Sequence, residues 1–173
     1  WDITDFGSGD YNKRGLVLFT IRNGKPGDMK KVYCEKIMVA DENQETPMHF
    51  HWNKTEDIIN RGGGMLAMEL HNASDDGQML DTEVKVKIDG IEKRIAPGEE
   101  LLLQPGQSIC LVPYLYHRFY GKEGHGKVLI GEVSTVNDDA NDNRFYDEIG
   151  RFPEIVEDES PYRLLVSDYE KFI

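Results

Sequence analysis

Two histidines followed by a glutamate could bind a metal ion in the stretch TPMHFHWNKTEDIINRGGG. If MHFHW is extended, the side chains of His49 and His51 point to the same face, because strand side chains alternate. Pro47 favours such an extended approach. Glu56 follows a short polar connector, so we expect it to return on the adjacent strand and face the same point. His117, after a proline-led turn in VPYLYHRFYG, supplies a third imidazole.

Three imidazoles and one carboxylate form a donor set of borderline character. Such a set suits Mn²⁺, Fe²⁺, Co²⁺, Ni²⁺ or Zn²⁺ and leaves one or two positions open for water or substrate. A His-x-His pair alone is also common on a polar strand face. Glu56, the glycine run 62–64 and the later His117 together favour the metal site. We expect the other two histidines, His71 at a strand end and His125 between glycines, to be solvated.

The composition fits one acidic domain. The chain has 173 residues, and 20 lysines and arginines against 32 aspartates and glutamates give a formal net charge of −12. Nucleic acids and anionic membranes would repel such a chain, so we expect neither as a partner. No apolar run approaches the roughly 20 residues of a membrane span, and no signal-peptide segment is visible. Cys34 and Cys110 are expected to be buried and reduced, which predicts a cytoplasmic protein.

Short alternating segments separated by turn residues predict an all-β sandwich or barrel, as a single domain over residues 1–173. The clearest segment is EVKVKIDGIEKRI, in which two strands flank a two-residue Asp89-Gly90 turn. Further strands are predicted in GLVLFTIRNG, KKVYCEKIMVA, PGEELLLQPGQSICLVP and KVLIGEVST. We expect a barrel core over about 14–136 and, over about 137–173, irregular structure with a short helix or two.

The histidine pattern resembles that of the cupin superfamily. The first cupin motif has two histidines separated by one residue, then a glutamate and a glycine, matched here by His49, His51, Glu56 and Gly63. The second motif has a histidine after a proline-led turn, matched by His117. The sequence PYLYH lacks the usual glycine of that motif and is one residue shorter. The resemblance implies a cupin-type double-stranded β-helix, which is a jelly-roll barrel.

Three stretches resemble the D-lyxose isomerase family of metal-dependent cupins in particular: WDITDFGSGD, TPMHFHWNKTEDIINRGGG and GEVSTVNDDANDNRFYD. This resemblance implies interconversion of D-lyxose with D-xylulose, some action on D-mannose and D-fructose, and Mn²⁺ as the typical metal. The metal ligands would be His49, His51, Glu56 and His117. A homodimer is expected from cupins in general.

Aldose–ketose isomerisation needs a base that carries a proton between C1 and C2, and a polarised carbonyl. Under this resemblance Glu132 in LIGEVST is the candidate base. Both faces of its strand are largely apolar, so a carboxylate there lies in a lined cavity or is buried at a cost. The alternative is a strand-end glutamate paired with an arginine. Lys54 would bind a sugar oxygen or neutralise enediolate charge, unless it is a solvated loop lysine. A single metal favours proton transfer through a cis-enediol over a hydride shift.

Sugar binding is predicted at Asp139, Asp142 and Arg144 of the NDDANDNRF run, because recognition of a polyol takes many short hydrogen-bonding groups. An Asx-rich loop shaped by its own turns is the alternative. Phe119 is expected to stack on a C–H face of the sugar.

Two other functions are open from the sequence. Three histidines and a glutamate on a cupin barrel also suit an Fe²⁺ dioxygenase, although that chemistry favours an apolar pocket over an Asx-rich loop. A non-catalytic metal- or sugar-binding cupin would need no general base. Glu132 is therefore the residue that separates the isomerase from a binding module.

Overall fold

The computed structural model describes residues 1–138, 141–149, 159–164 and 169–172. Within these ranges the chain forms fourteen β-strands and one helix of four residues, which confirms the all-β prediction. The strands are β1 Asp2–Thr4, β2 Leu16–Asn23, β3 Tyr33–Ala40, β4 Thr46–His51, β5 Glu56–Gly63, β6 Leu66–Ala73, β7 Met79–Leu80, β8 Val84–Ile88, β9 Ile91–Ile95, β10 Leu101–Leu103, β11 Ser108–Leu111, β12 Leu115–Gly121, β13 Val128–Thr135 and β14 Asn143–Phe145, and the helix is α1 Tyr169–Phe172.

Two antiparallel sheets make up the fold. The first has the strand order β1-β2-β3-β13-β5-β11-β8-β9, and the second has the order β10-β6-β12-β4-β14, with β7 pairing to β6. Each fully buried aliphatic or aromatic side chain between them contributes about 1.5–3 kcal/mol of hydrophobic stabilisation. The core draws on both sheets and includes Leu16, Met38, Ile58, Val86, Ile109 and Ile130 from the first and Leu66, Met68, Leu70, Leu103, Leu115 and Phe119 from the second.

The predicted hairpin EVKVKIDGIEKRI is present as β8 and β9, with Ile88 opposite Ile91 beside the turn. Asp89 and Gly90 have φ values of 49° and 81°. A type I′ turn needs positive φ at both of its central residues, which explains the Asp-Gly pair. The valines of β8 are buried and its lysines are exposed, as the alternation predicts.

Sheet strands also lie outside the predicted core of 14–136. At one end β1 pairs with β2, and at the other β14 pairs with β4. Each has only three residues, too few to show an alternating pattern in the sequence. The rings of Phe6 and Phe145 lie 6.0 Å apart, so these two edges of the sheets meet. The division into a core and an extension within one domain stays a prediction.

Cys34 and Cys110, the two cysteines of the chain, do not form a disulfide. Cys34 is buried as expected, whereas Cys110 is only half-buried. Burial and the neighbouring carboxylate of Asp57 raise the pKa of the Cys110 thiol. Separately, no helix among the described residues has the length and apolar character needed to cross a membrane.

The glycine run 62–64 packs backbone against backbone at the end of β5. Gly63 has a φ of +85°, and a Cβ there would lie 2.2 Å from the carbonyl oxygen of Lys127. A Cβ on Gly64 would lie 2.5 Å from the carbonyl oxygen of Gly126. The run therefore lets the chain between β5 and β6 approach the start of β13.

The buried side chain of Asn60 holds the same turn. Its amide nitrogen donates to the carbonyl oxygens of Gly64 and Leu103, both at 2.9 Å, and its oxygen accepts from the amide of Gly62 at 3.0 Å. Asn60 has no exposed surface, so water cannot replace these hydrogen bonds.

Asn60→Ala is expected to lower the free energy of unfolding by about 2–4 kcal/mol, because each buried backbone group left unpaired costs roughly 1–3 kcal/mol. Urea denaturation measures this change. Asn12→Ala, at an exposed position, is the control and should cost less than about 0.5 kcal/mol. An equally small loss for Asn60→Ala would show that other contacts hold the turn.

Candidate active site

Three histidines meet on the inner face of the second sheet. His49 and His51 lie on β4, and His117 lies on β12 directly opposite His49. All three are buried, and one ring nitrogen of each lies within 4.8 Å of those of the other two. The structure therefore brings the His-x-His pair and the later histidine together. His71 is half-buried and His125 is exposed, and neither belongs to this cluster.

Backbone carbonyl groups orient two of the imidazoles. The Nδ1 atom of His49 donates to the oxygen of Pro47 at 2.7 Å, and Nδ1 of His117 donates to the oxygen of Leu115 at 2.9 Å. Because a carbonyl oxygen only accepts, each Nδ1 carries a hydrogen, which leaves Nε2 as the nitrogen that can bind a metal. Contacts of this kind fix the ring of a metal-binding histidine. Burial and the two neighbouring imidazoles hold the pKa of His49 well below its ordinary value, so this ring is neutral.

Glu56 reaches the histidines from the facing sheet. The expectation that it lies on a strand adjacent to β4 is wrong, because the connector 52–55 crosses from one sheet to the other. Its Oε1 lies 3.1 Å from Nε2 of His117 and 3.4 Å from Nε2 of His51, and its Oε2 lies 2.8 Å from Nζ of Lys54. Burial raises the pKa of Glu56, but the charge of Lys54 and the histidine contacts lower it by more, so the carboxylate is ionised.

The converging atoms fit a divalent metal ion. Nε2 of His51, Nε2 of His117 and Oε1 of Glu56 are buried, yet none has a hydrogen-bond partner of acceptable geometry among the residues that the structure describes. Their short N···O separations are therefore close contacts between misaligned groups. Two ligand atoms about 2.1 Å from a metal, at right angles to each other, are about 3 Å apart, so this spacing suits shared coordination. The neutral ring of His49 and the ionised carboxylate of Glu56 are also the protonation states that metal binding requires.

Glu132 is buried on β13 and lines the same cavity as the histidines. Its Oε1 lies 3.0 Å from Nζ of Lys54 and 3.3 Å from Nζ of Lys36, and accepts a hydrogen bond from Oγ of Ser134 at 3.1 Å. Its charged partners are thus lysines and not an arginine. A carboxylate on this largely apolar strand is both buried and inside a lined cavity.

Lys54 links the two carboxylates of the site. Burial lowers the pKa of its ammonium group, but the charges of Glu56 and Glu132 raise it by more, so Lys54 stays protonated. Its position is set by Asp142, whose carboxylate accepts from the backbone amides of Asn53 at 2.8 Å and Lys54 at 2.9 Å. Lys54 is therefore a buried, held residue and not a solvated loop lysine.

Lys36 is a buried residue of the site that the sequence analysis did not select. It lies on β3 directly opposite Glu132. The sequence does contain a sign of its burial, because Lys36 alternates with Cys34 and Met38 and shares their buried side of β3. The other side of this strand is also largely apolar, so the sequence alone did not identify the inner face.

The predicted sugar contacts fall in different places. Phe119 lines the cavity beside the histidines. Asp142 does not line it, since its carboxylate holds the connector that carries Lys54. Asp139 lies outside the described residues.

On β14 the register decides which residues face the cavity. Asn143 pairs with His51 and Phe145 with His49, and both line the cavity. Arg144 lies between them, is exposed, and therefore points away from the predicted sugar site. Three residues are too few to show from the sequence which side of the strand faces the cavity, and only their pairing with β4 decides it.

These side chains surround one cavity between the sheets. Its volume of about 80 Å³ is several times the roughly 10–15 Å³ that one water molecule needs, so a small ligand or several waters can enter. The buried charges and imidazoles form one part of its wall. Residues of β1, β2 and β4 form another, and these include Thr4, Leu16 and Thr46.

Solved structures with a similar fold are sugar isomerases. The ligand-free L-ribose isomerase of Cellulomonas parahominis has a TM-score of 0.64 at 15% identity, covering 87% of this chain and 84% of that one. The L-ribose isomerase of Acinetobacter sp. DL28 in complex with L-ribose has a TM-score of 0.60 at 15% identity, covering 84% and 80%. At this identity the similarity shows the fold, and it confirms the cupin-type barrel.

Sequence comparison gives a closer relationship. A D-lyxose/D-mannose isomerase of Serratia proteamaculans is 55% identical over 175 residues, which span all of this chain and 77% of that protein. One from Escherichia coli O157:H7 is 49% identical over 174 residues, spanning 99% of this chain and 77% of that protein. The profile of the D-lyxose isomerase family matches residues 1–169. With this match and these identities, the chain belongs to the D-lyxose isomerase family.

Proposed function

We propose that this aldose–ketose isomerase interconverts D-lyxose with D-xylulose and D-mannose with D-fructose, by proton transfer through a cis-enediol. The names of the relatives support the substrates. The observation that carries the mechanism is Glu132, a carboxylate buried in the wall of the histidine cavity and held there by two lysines.

The metal is proposed to be Mn²⁺, held by His49, His51, Glu56 and His117. The mixed nitrogen and oxygen donor set supports a borderline divalent ion. When bound, such an ion polarises the sugar carbonyl and orients the oxygens on C1 and C2. His49 and His117 keep their Nε2 atoms aimed at the centre through their carbonyl contacts.

Glu132 is assigned as the base that carries a proton between C1 and C2. Lys36, Lys54 and Ser134 all contact Oε1. Oε2 takes no part in these contacts, so we assign Oε2 as the oxygen that accepts the sugar proton and returns it. Locking one carboxylate oxygen orients the other, and orientation of this kind lowers the barrier to proton transfer.

Lys54 and Lys36 are assigned to the developing negative charge on the sugar oxygens. The Oδ1 atom of Asn137 accepts from Nζ of Lys36 at 2.7 Å and from Nζ of Lys54 at 3.4 Å, so a substrate oxygen would take the place of Asn137 while the lysines keep Glu132. In a buried site such donors stabilise an enediolate more strongly than water does. Asp142 is assigned a positioning role through the backbone of Lys54. Direct sugar contacts of Asp142, Asp139 and Phe119 stay predictions, whereas the outward-facing position of Arg144 on β14 does not support such a contact.

The alternatives fit the site less well. A binding module needs no general base, so the desolvation free energy of burying Glu132 with two lysines would then serve no function. A dioxygenase favours an apolar cavity, whereas two lysines and three acidic residues, which include Glu56 and Glu132, line this one. The absence of a disulfide between the two cysteines supports a reducing compartment, and the cytoplasm and the homodimer stay predictions.

Removing the metal with a chelator is expected to abolish D-lyxose turnover, and Mn²⁺ is expected to restore it. His49→Ala should bind metal more than about 100-fold more weakly, because losing a ligand costs more than losing the outer contacts that orient one. Calorimetry and metal analysis measure the affinity, with exposed His125→Ala as the control. Full activity in the stripped protein would contradict the metal assignment.

Glu132→Gln is expected to lower kcat by about 10²–10⁴, the range for loss of a general base, while retaining bound metal. Turnover of D-lyxose and metal content are measured together. Glu123→Gln, at an exposed position, should match the wild type. A kcat for Glu132→Gln within tenfold of wild type would place the base elsewhere.

Turnover in D₂O is expected to place deuterium on the carbon that receives the proton, because a carboxylate base exchanges its proton with solvent. NMR of the D-xylulose formed from D-lyxose measures this label at C1. Product without any deuterium would support an internal hydride shift and contradict the enediol route.

A further inference from the structure

Thr46 is a buried hydroxyl in the cavity with no role in the mechanism above. It is 3% exposed, lines the cavity, and its Oγ1 has no hydrogen-bond partner among the described residues. Buried hydroxyls are nearly always hydrogen-bonded, because an unpaired one loses its contacts with water without replacement. An unpaired hydroxyl that faces a cavity points to a ligand as the missing partner.

The register of the second sheet places Thr46 at a defined distance from the histidines. His117 pairs with His49, and Phe119 pairs with Thr46. Two residues of β12 span about 7 Å, so Thr46 lies about that far along the sheet from the histidine row. The pairing of β12 with β4 is irregular between these two pairs, in the part of β4 that contains Pro47. Thr46 lies on the cavity wall.

The chain closes the cavity close to Thr46. The residue before it, Glu45, accepts a backbone hydrogen bond from Gly15, and its carboxylate pairs with the guanidinium of Arg14 at 2.6 Å. Leu16, the next residue along this segment, lines the cavity with Thr46. Thr46 therefore lies where the start of β2 meets the start of β4, away from the base and the metal ligands.

The length of a sugar matches this separation. An open-chain pentose or hexose spans about 5–6 Å at a carbon–carbon distance of about 1.5 Å. With the carbonyl end of the sugar at the histidines, its far hydroxyls reach the level of Thr46. We propose that Thr46 Oγ1 hydrogen-bonds a substrate hydroxyl at or beyond C4 and so contributes to sugar specificity. This assignment rests on the proposed function.

Thr46→Val, which replaces the hydroxyl with a methyl group, tests the assignment. It is expected to raise KM for D-lyxose roughly three- to tenfold, the value of one hydrogen bond, with kcat and metal affinity little changed. Its Tm should be unchanged or higher, because the variant removes a buried hydroxyl that the protein leaves unpaired. Thr82→Val, at an exposed position, is the control. A lower Tm with unchanged KM would show a purely structural role and overturn the proposal.

Two further measurements complete the test. The first uses 4-deoxy- and 5-deoxy-D-lyxose, one of which should lack the hydroxyl that Thr46 contacts. With that analogue, wild type and Thr46→Val should have equal kcat/KM. If Thr46→Val lowers kcat/KM for both analogues as much as it does for D-lyxose, the proposal is overturned. Calorimetric binding of the pentitol made by reducing D-lyxose should weaken by the same three- to tenfold factor in Thr46→Val. If Thr46→Val weakens pentitol binding but the wild type does not turn over D-lyxose, the result contradicts the isomerase and supports the contact between Thr46 and the sugar. Turnover with unchanged pentitol binding would keep the isomerase and overturn the contact.

Discussion

The pairing of four buried charges between the two sheets is the constraint on which the rest of the site depends. Lys36, Lys54, Glu56 and Glu132 have side chains at most 5% exposed. Each buried ion costs several kcal/mol unless it is paired, and here two ammonium groups offset two carboxylates. Because Lys54 contacts both carboxylates and Lys36 contacts Glu132, removing any one of the four leaves one charge of this group uncompensated. They therefore act as a unit.

This constraint explains which side chains each sheet contributes to the site. The second sheet supplies imidazoles from β4 and β12, and burial keeps the pKa of His49 low. The first sheet supplies ions from β3, β5 and β13, in neighbouring positions of the inner face. The connector 52–55 crosses between the sheets and places Lys54 at the junction, where Asp142 holds its backbone. These four charges cancel one another, so a divalent ion in the site would add positive charge, which favours an anionic enediolate.

The histidines and Glu132 were easier to predict than the other residues that line the cavity. His49 and His51 share a face because of a spacing of two, and this property belongs to any extended strand. Glu132 stood out as a charge on an apolar strand. Lys36 did not, because both sides of β3 are largely apolar and only pairing with β13 shows which side is inner. Arg144 was predicted as a sugar contact and Asn143 was not, although the register of β14 turns Asn143 inward and Arg144 outward.

The sequence by itself determined the all-β class, the β8–β9 hairpin, the metal-binding residue types and the likeness to one isomerase family. These depend on local spacing, turn chemistry and residue identity, which a linear chain carries. Only the tertiary structure decided that Glu56 comes from the facing sheet, that Lys36 joins Lys54 on Glu132, and that Thr46 presents an unpaired hydroxyl to the cavity. Each of these depends on which strands pair and in which register, and a shift of one residue would turn every one of these side chains to the opposite face.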